Sequence, residues 1–133
     1  MATETMMDQE FMNSVEKVMY GVNRINSPYY QAYPDIGNIY NSTDDIIRDI
    51  RTGAGHMVGA HLKETLPGKD RSIPYGQGQV DFPTYIAEFY RQGIRRYVAE
   101  FWHDGGDNWK QVMKENRDFL DRQFDLAFKM IET

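Results

Sequence analysis

Two hydrophobic periods alternate along the chain. Phe11, Val15, Val18, Met19, Val22 and Ile25 recur at spacings of three and four, with Asn13, Glu16, Lys17 and Asn23 between them. This pattern predicts an amphipathic helix, which Asp8 is placed to cap and in which the methionines read as core filler. Ser27-Pro28 breaks it, because the residue before a proline is pushed out of the α region. Residues 29–35, Tyr-Tyr-Gln-Ala-Tyr-Pro-Asp, predict a strand that Pro34 ends by removing a donor, and Ile36-Gly37-Asn38 predicts a loop. Ser42-Thr43-Asp44-Asp45 has the form of a capping box. It opens a second helix with Ile46, Ile47 and Ile50 on its buried face and Gly53 and Gly55 at its end.

The pattern then returns to strand. Residues 57–65, Met-Val-Gly-Ala-His-Leu-Lys-Glu-Thr, are apolar or small in their first half and polar at their exit. Residues 66–80 hold Pro67-Gly68, Pro74 and Gly76-Gln77-Gly78 and read as a long loop, either functional or a plain surface excursion. Gly76-x-Gly78 lacks the third glycine of a phosphate-binding fingerprint and runs into Val80-Asp81 rather than a helix. Asp81-Phe82-Pro83 starts a helix with Tyr85, Ile86, Phe89 and Tyr90 buried and Gly93 at its close. Residues 94–102 predict a strand. Residues 108–132 predict a final helix with Trp109, Val112, Met113, Phe119, Leu120, Phe124 and Ala127 inward. Helix and strand alternate throughout, which implies parallel βαβ units with right-handed crossovers.

Composition narrows the class. The 133 residues are 41% hydrophobic and 14% aromatic, enough for one domain spanning 1–133 with a real core. A net charge of −5 without a basic stretch speaks against nucleic-acid binding. The absence of cysteine excludes disulfides and thiolate metal sites. The acidic N-terminus does not read as a signal peptide, and no run approaches the roughly 18 apolar residues of a membrane span. A soluble, cytoplasmic protein is the expectation.

Three of the predicted strands carry an ionisable residue near the C-terminal end: Asp35, His61 and Glu100. In a parallel sheet those ends share one face, where chemistry is usually done. Singly, Asp35 is explained as a turn former, His61 as a core histidine and Glu100 as half of a surface ion pair. Their common place in successive units favours a joint site. Two carboxylates and an imidazole suit one divalent ion such as Mn²⁺, Mg²⁺ or Zn²⁺. His56 and His103 read as loop histidines.

Several segments resemble one family. Phe11-Met12-Asn13-Ser14, Tyr33-Pro34-Asp35-Ile36-Gly37-Asn38, Ala60-His61-Leu62-Lys63-Glu64-Thr65, Pro74-Tyr75-Gly76-Gln77-Gly78-Gln79-Val80-Asp81-Phe82 and Ala99-Glu100-Phe101-Trp102 are similar, in order and spacing, to the C-terminal half of the L-ribulose-5-phosphate 3-epimerases. These are also described as hexulose-6-phosphate isomerases, within the xylose-isomerase-like TIM-barrel superfamily. The similarity runs from about Asp8 to the C-terminus. It implies half of a (β/α)₈ barrel, with three to four parallel strands alternating with helices and the first strand truncated.

The resemblance also implies a divalent metal held by Glu, Asp, His and Glu at the ends of strands five to eight. Asp35, His61 and Glu100 match the last three by position. An ungapped count back from Phe11 puts the first at Thr5; Glu4, one residue away, matches only if Met6-Met7 includes an insertion. The implied function is a metal-dependent epimerase or isomerase of ketose 5- or 6-phosphates, with two glutamates, Glu100 and Glu4, moving the C3 proton through an enediolate. Asn38 and Lys63 are the candidate substrate-binding residues. A full barrel needs about 200–250 residues, so a homodimer completing the barrel is expected. The alternative is a catalytically inactive, truncated half-barrel that self-associates and binds metal or sugar phosphate.

Overall fold

A computed structural model describes residues 1–69, 71–103 and 105–133; residue 70, within the expected 66–80 loop, and residue 104 lie outside the described residues. The elements run β1 (Ala2–Glu4), α1 (Val15–Ile25), β2 (Gln31–Tyr33), α2 (Ile36–Tyr40), α3 (Ile46–Thr52), β3 (Ala60–Lys63), α4 (Phe82–Arg91), β4 (Tyr97–Glu100) and α5 (Trp109–Glu132). The ladders β1–β2 and β3–β4 are parallel. Parallel bridges Ala32↔Met57 and Asp35↔His61 join the two pairs, giving the order β1-β2-β3-β4.

Several boundaries differ from the sequence pattern. α1 begins at Val15 with Ser14 as its cap, not Asp8, because Ser14 accepts the Lys17 N–H and the Asp49 carboxylate takes those of Val15 and Glu16. Phe11 therefore stays outside the helix and is 69% exposed. Ile36-Gly37-Asn38 is not a loop but the start of α2, capped by Asp35. α3 is capped by Asp45 rather than Ser42, whose hydroxyl instead donates to the Asn38 carbonyl. The strands are shorter than the hydrophobic runs that predict them, since pairing, not composition, sets their ends. Asp81 caps α4 as expected, and Arg51 of α3 clasps the buried Glu88 of α4 with two hydrogen bonds.

The pleat divides the sheet. Ala32, Ala60 and Leu62 point to the helices and join Val15, Ile36, Ile50, Ile86 and Phe89 in the core. His61 pairs in register with Val98, and Lys63 with Glu100, on the other face. That face has no second layer among the described residues, and Val98 is 47% exposed. α5 is also only partly covered. Trp109 and Met113, expected inward, are about half exposed (49% and 51%) along an open apolar cleft of about 660 Å³ beside Leu62, Tyr97 and Ala99.

The 66–80 loop is held down over the end of β3. The buried Glu64 carboxylate accepts N–H groups from Thr65, Gly76 and Val80, and the Tyr75 hydroxyl donates to the Leu62 carbonyl. Gly78 permits this closeness: a Cβ there would lie 2.2 Å from Glu64 Oε1 and 2.3 Å from the Thr65 carbonyl. Gly78→Ala is expected to cost about 1–3 kcal/mol, read as a lower urea midpoint at unchanged m-value.

Candidate metal centre

Because the strands run in parallel, their C-terminal ends form one rim. Glu4 ends β1 and Glu100 ends β4; Asp35 follows β2 and His61 lies in β3. The His61 N–H donates to the Pro34 carbonyl at 2.8 Å, fixing the height of the imidazole relative to Asp35. Tyr33 packs edge-on against the ring at 4.6 Å.

These four residues converge. His61 Nδ1 lies 2.7 Å from Glu100 Oε2, 2.8 Å from Glu4 Oε1 and 3.7 Å from Asp35 Oδ2. One ligand atom from each falls within 4.8 Å of the others. Asp35 Oδ2 and Glu100 Oε2 are buried yet make no well-aligned hydrogen bond, although cationic groups stand at ion-pair distance from both. Buried acceptors are normally satisfied. Two such oxygens facing one imidazole nitrogen and a third carboxylate make a donor set that fits a divalent cation.

Glu4 and Thr5 exchange the places that the ungapped count gives them. Glu4 pairs with Tyr33 in the ladder and reaches His61. Thr5, next in the pleat, is buried behind the cluster. Its hydroxyl accepts the Asp35 N–H at 2.9 Å and donates to the Asp35 carbonyl. Asn38 is buried too, and its amide is spent inside the protein: Nδ2 donates to the Thr5 carbonyl and Oδ1 accepts from Lys63. Lys63 Nζ also lies 3.1 Å from Asp35 Oδ2 and 3.5 Å from Glu100 Oε1. Asn38 and Lys63 thus stand behind the carboxylates, as a support. Asn38 and Lys63 were expected at the site as substrate-binding residues, whereas the supporting role of Thr5 and the packing of Tyr33 did not stand out in the sequence, since a threonine and a tyrosine at a strand end carry no chemical signature. His56 bonds Gln31 and His103 bonds Asn108, outside the cluster.

The charges are mutually dependent. Burial works against a charged His61, but the carboxylates of Asp35, Glu100 and Glu4 facing its ring outweigh it and hold the imidazolium up to about 10. The close approach of His61 holds Glu100 well below the usual carboxylate range, against the effect of burial. Burial raises Glu4, partly offset by His61. A raised histidine contributes stability that is complete below its unfolded value of 6.5 and is lost as pH climbs through about 10. In metal-free protein the melting temperature is therefore expected to fall between these limits. His61→Gln should flatten that part of the pH profile in thermal melts.

Comparison with known proteins bears on the family and the fold. A family model described as xylose isomerase-like TIM barrel matches residues 1–123. The L-ribulose-5-phosphate 3-epimerase UlaE of Salmonella paratyphi C (strain RKS4594) is 34% identical over 115 residues, 86% of this chain and 40% of that protein. The chain thus spans about two fifths of the length of the curated relatives it matches. Among solved structures, an L-ribulose 3-epimerase superposes with a TM-score of 0.78 at 16% identity, over 98% of this chain and 49% of the other. A D-allulose 3-epimerase from Methylomonas sp., in complex with D-allulose, gives 0.72 at 14% identity, over 91% and 47%. At such identities the structural likeness shows the fold. The chain belongs to the xylose isomerase-like TIM barrel family, and it carries part of the barrel.

Proposed function

We propose that the chain is the C-terminal half of a divalent-metal-dependent epimerase or isomerase acting on ketose 5- or 6-phosphates. The observation that carries this reading is the convergence of Glu4, Asp35, His61 and Glu100, with two buried carboxylate oxygens that make no well-aligned hydrogen bond turned toward a common point. A bound divalent ion supplies Lewis-acid stabilisation of negative charge on the substrate's oxygens. The chain's own groups do the rest. Glu4 and Glu100 approach His61 from the first and last strands, so their carboxylates flank the centre from two sides. One takes the proton from C3 as the electron pair moves into the adjoining C2 carbonyl, leaving an enediolate. The other returns a proton to C3 from the opposite face, inverting that carbon. Relatives named for L-ribulose 5-phosphate support a phosphorylated ketose as substrate. Among the described residues no helix is long and apolar enough to cross a membrane; the substrate class would place the chain in the cytoplasm.

The open face and the two free strand edges support a homodimer in which two copies close an eight-stranded barrel. A dimer is expected in multi-angle light scattering, and a monodisperse monomer would count against this arrangement.

A second reading has one observation in its favour: the chain covers 40% of its curated relatives. It would then fold, self-associate and bind metal or sugar phosphate without turnover. Deuterium exchange from solvent at C3 of L-xylulose 5-phosphate, with Mn²⁺ supplied, separates the two. Activity should bring exchange above background and a loss of about 10²–10⁴-fold in Glu100→Gln. No exchange leaves the inactive reading. Metal analysis reads the centre itself: the parent should hold the ion, and His61→Ala and Glu100→Ala should lose it.

A further inference from the structure

Lys63 sits where an ammonium is rarely found. Its side chain is 4% exposed, and long cationic side chains are seldom buried without partners. Nζ is placed by three groups, from α2, its cap and β4: Asn38 Oδ1 at 2.8 Å, Asp35 Oδ2 at 3.1 Å and Glu100 Oε1 at 3.5 Å. Asn38 is itself bracketed, with its side chain donating to the Thr5 carbonyl and its N–H to Asp35 Oδ1. The backbone makes room for the stem, since a Cβ on Gly37 would come within 3.0 Å of Lys63 Cε. This is a built seat for a positive charge.

We infer that Lys63 is a positioning residue: its ammonium is the internal counter-cation of the carboxylate cluster and holds Asp35 and Glu100 in the arrangement that faces an ion. Three carboxylates within 4.8 Å of one another repel strongly. Lys63 pulls on Asp35 Oδ2 and on the outer oxygen of Glu100, Oε1, and so turns Glu100 Oε2 toward His61. With His61 neutral as a ligating imidazole, three carboxylates against the Lys63 ammonium leave, among the described residues, two negative charges, matched by one divalent ion. Lys63 acts through the two carboxylates and does not touch substrate. The charge match rests on the metal reading above; the counter-cation role does not.

A double-mutant cycle tests it, with thermal melts of Lys63→Met, Glu100→Gln and the combined variant in EDTA and in Mn²⁺. In EDTA, Lys63→Met should lower the melting temperature by roughly 5–10 °C, and Glu100→Gln in that background should recover part of the loss. Mn²⁺ should raise the melting temperature of Lys63→Met more than that of the parent, because the ion takes over the missing positive charge. If Lys63→Met alone does not fold, recovery of a folded chain in the combined variant reads the same coupling. Additive losses, or Mn²⁺ shifts that are measurable but equal in parent and Lys63→Met, would overturn the inference. A coupled cycle with no Mn²⁺ effect on any protein would support Lys63 as counter-cation and reject the metal centre.

Discussion

Carboxylates crowded together are stable only in the presence of positive charge, and much of this structure serves that requirement. Glu4, Asp35 and Glu100 meet around one imidazole nitrogen, partly or wholly out of water. Burial alone would drive such groups to take up protons. His61 and Lys63 oppose this from a single strand. They are two residues apart on β3, so the pleat sends both to the same face while Leu62, between them, enters the core. The short sequence His-Leu-Lys thus supplies two cationic groups to the rim and one anchor to the helices.

A second layer keeps those charges in register. β1 is only three residues long and lies at the sheet edge, where ladders open most easily. Thr5 ties its end to both the N–H and the carbonyl of Asp35, and Asn38 holds the Thr5 carbonyl. Asp35 meanwhile caps α2, which turns the backbone away directly after its side chain has been delivered to the rim. On the far side, Glu64 pins the 66–80 loop by two of its backbone N–H groups, those of Gly76 and Val80. That loop is a fixed wall beside the centre at the points described, whatever role its exposed parts have.

The partial barrel and the chemistry share one surface. Helices cover the outer face of the sheet, whereas the inner face carries the cluster, Tyr33 and the exposed Val98. Acid–base work of the proposed kind gains from excluding water, and a single layer of strands excludes little. Whatever completes the barrel would therefore both bury apolar surface and dry the site. The exposed Trp109 and Met113 lie instead on the helix side of the sheet, along the cleft beside Leu62, Tyr97 and Ala99.

Periodicity in the sequence was sufficient for the order of the helices and strands other than β1 and the short α2, for the parallel topology and for the rim positions of Asp35, His61 and Glu100. Hydrophobic spacing reports which face each element buries, and parallel strands place their ends together by necessity. The motifs around His61 likewise carried the family. Helix starts were read less well at Asp8 and Ser42: α1 opens at Ser14, where the distant Asp49 carboxylate takes two further N–H groups that only the folded chain brings to it, and Asp45 caps α3 locally through the Arg48 N–H. Glu4 against Thr5 shows the limit most plainly. The two residues are adjacent, and only ladder register decides which one faces the imidazole. The support by Thr5 and Asn38, the burial of Lys63 and the open inner face were likewise settled by tertiary contacts. Each depends on which groups meet across distant segments, and a linear pattern does not hold that information.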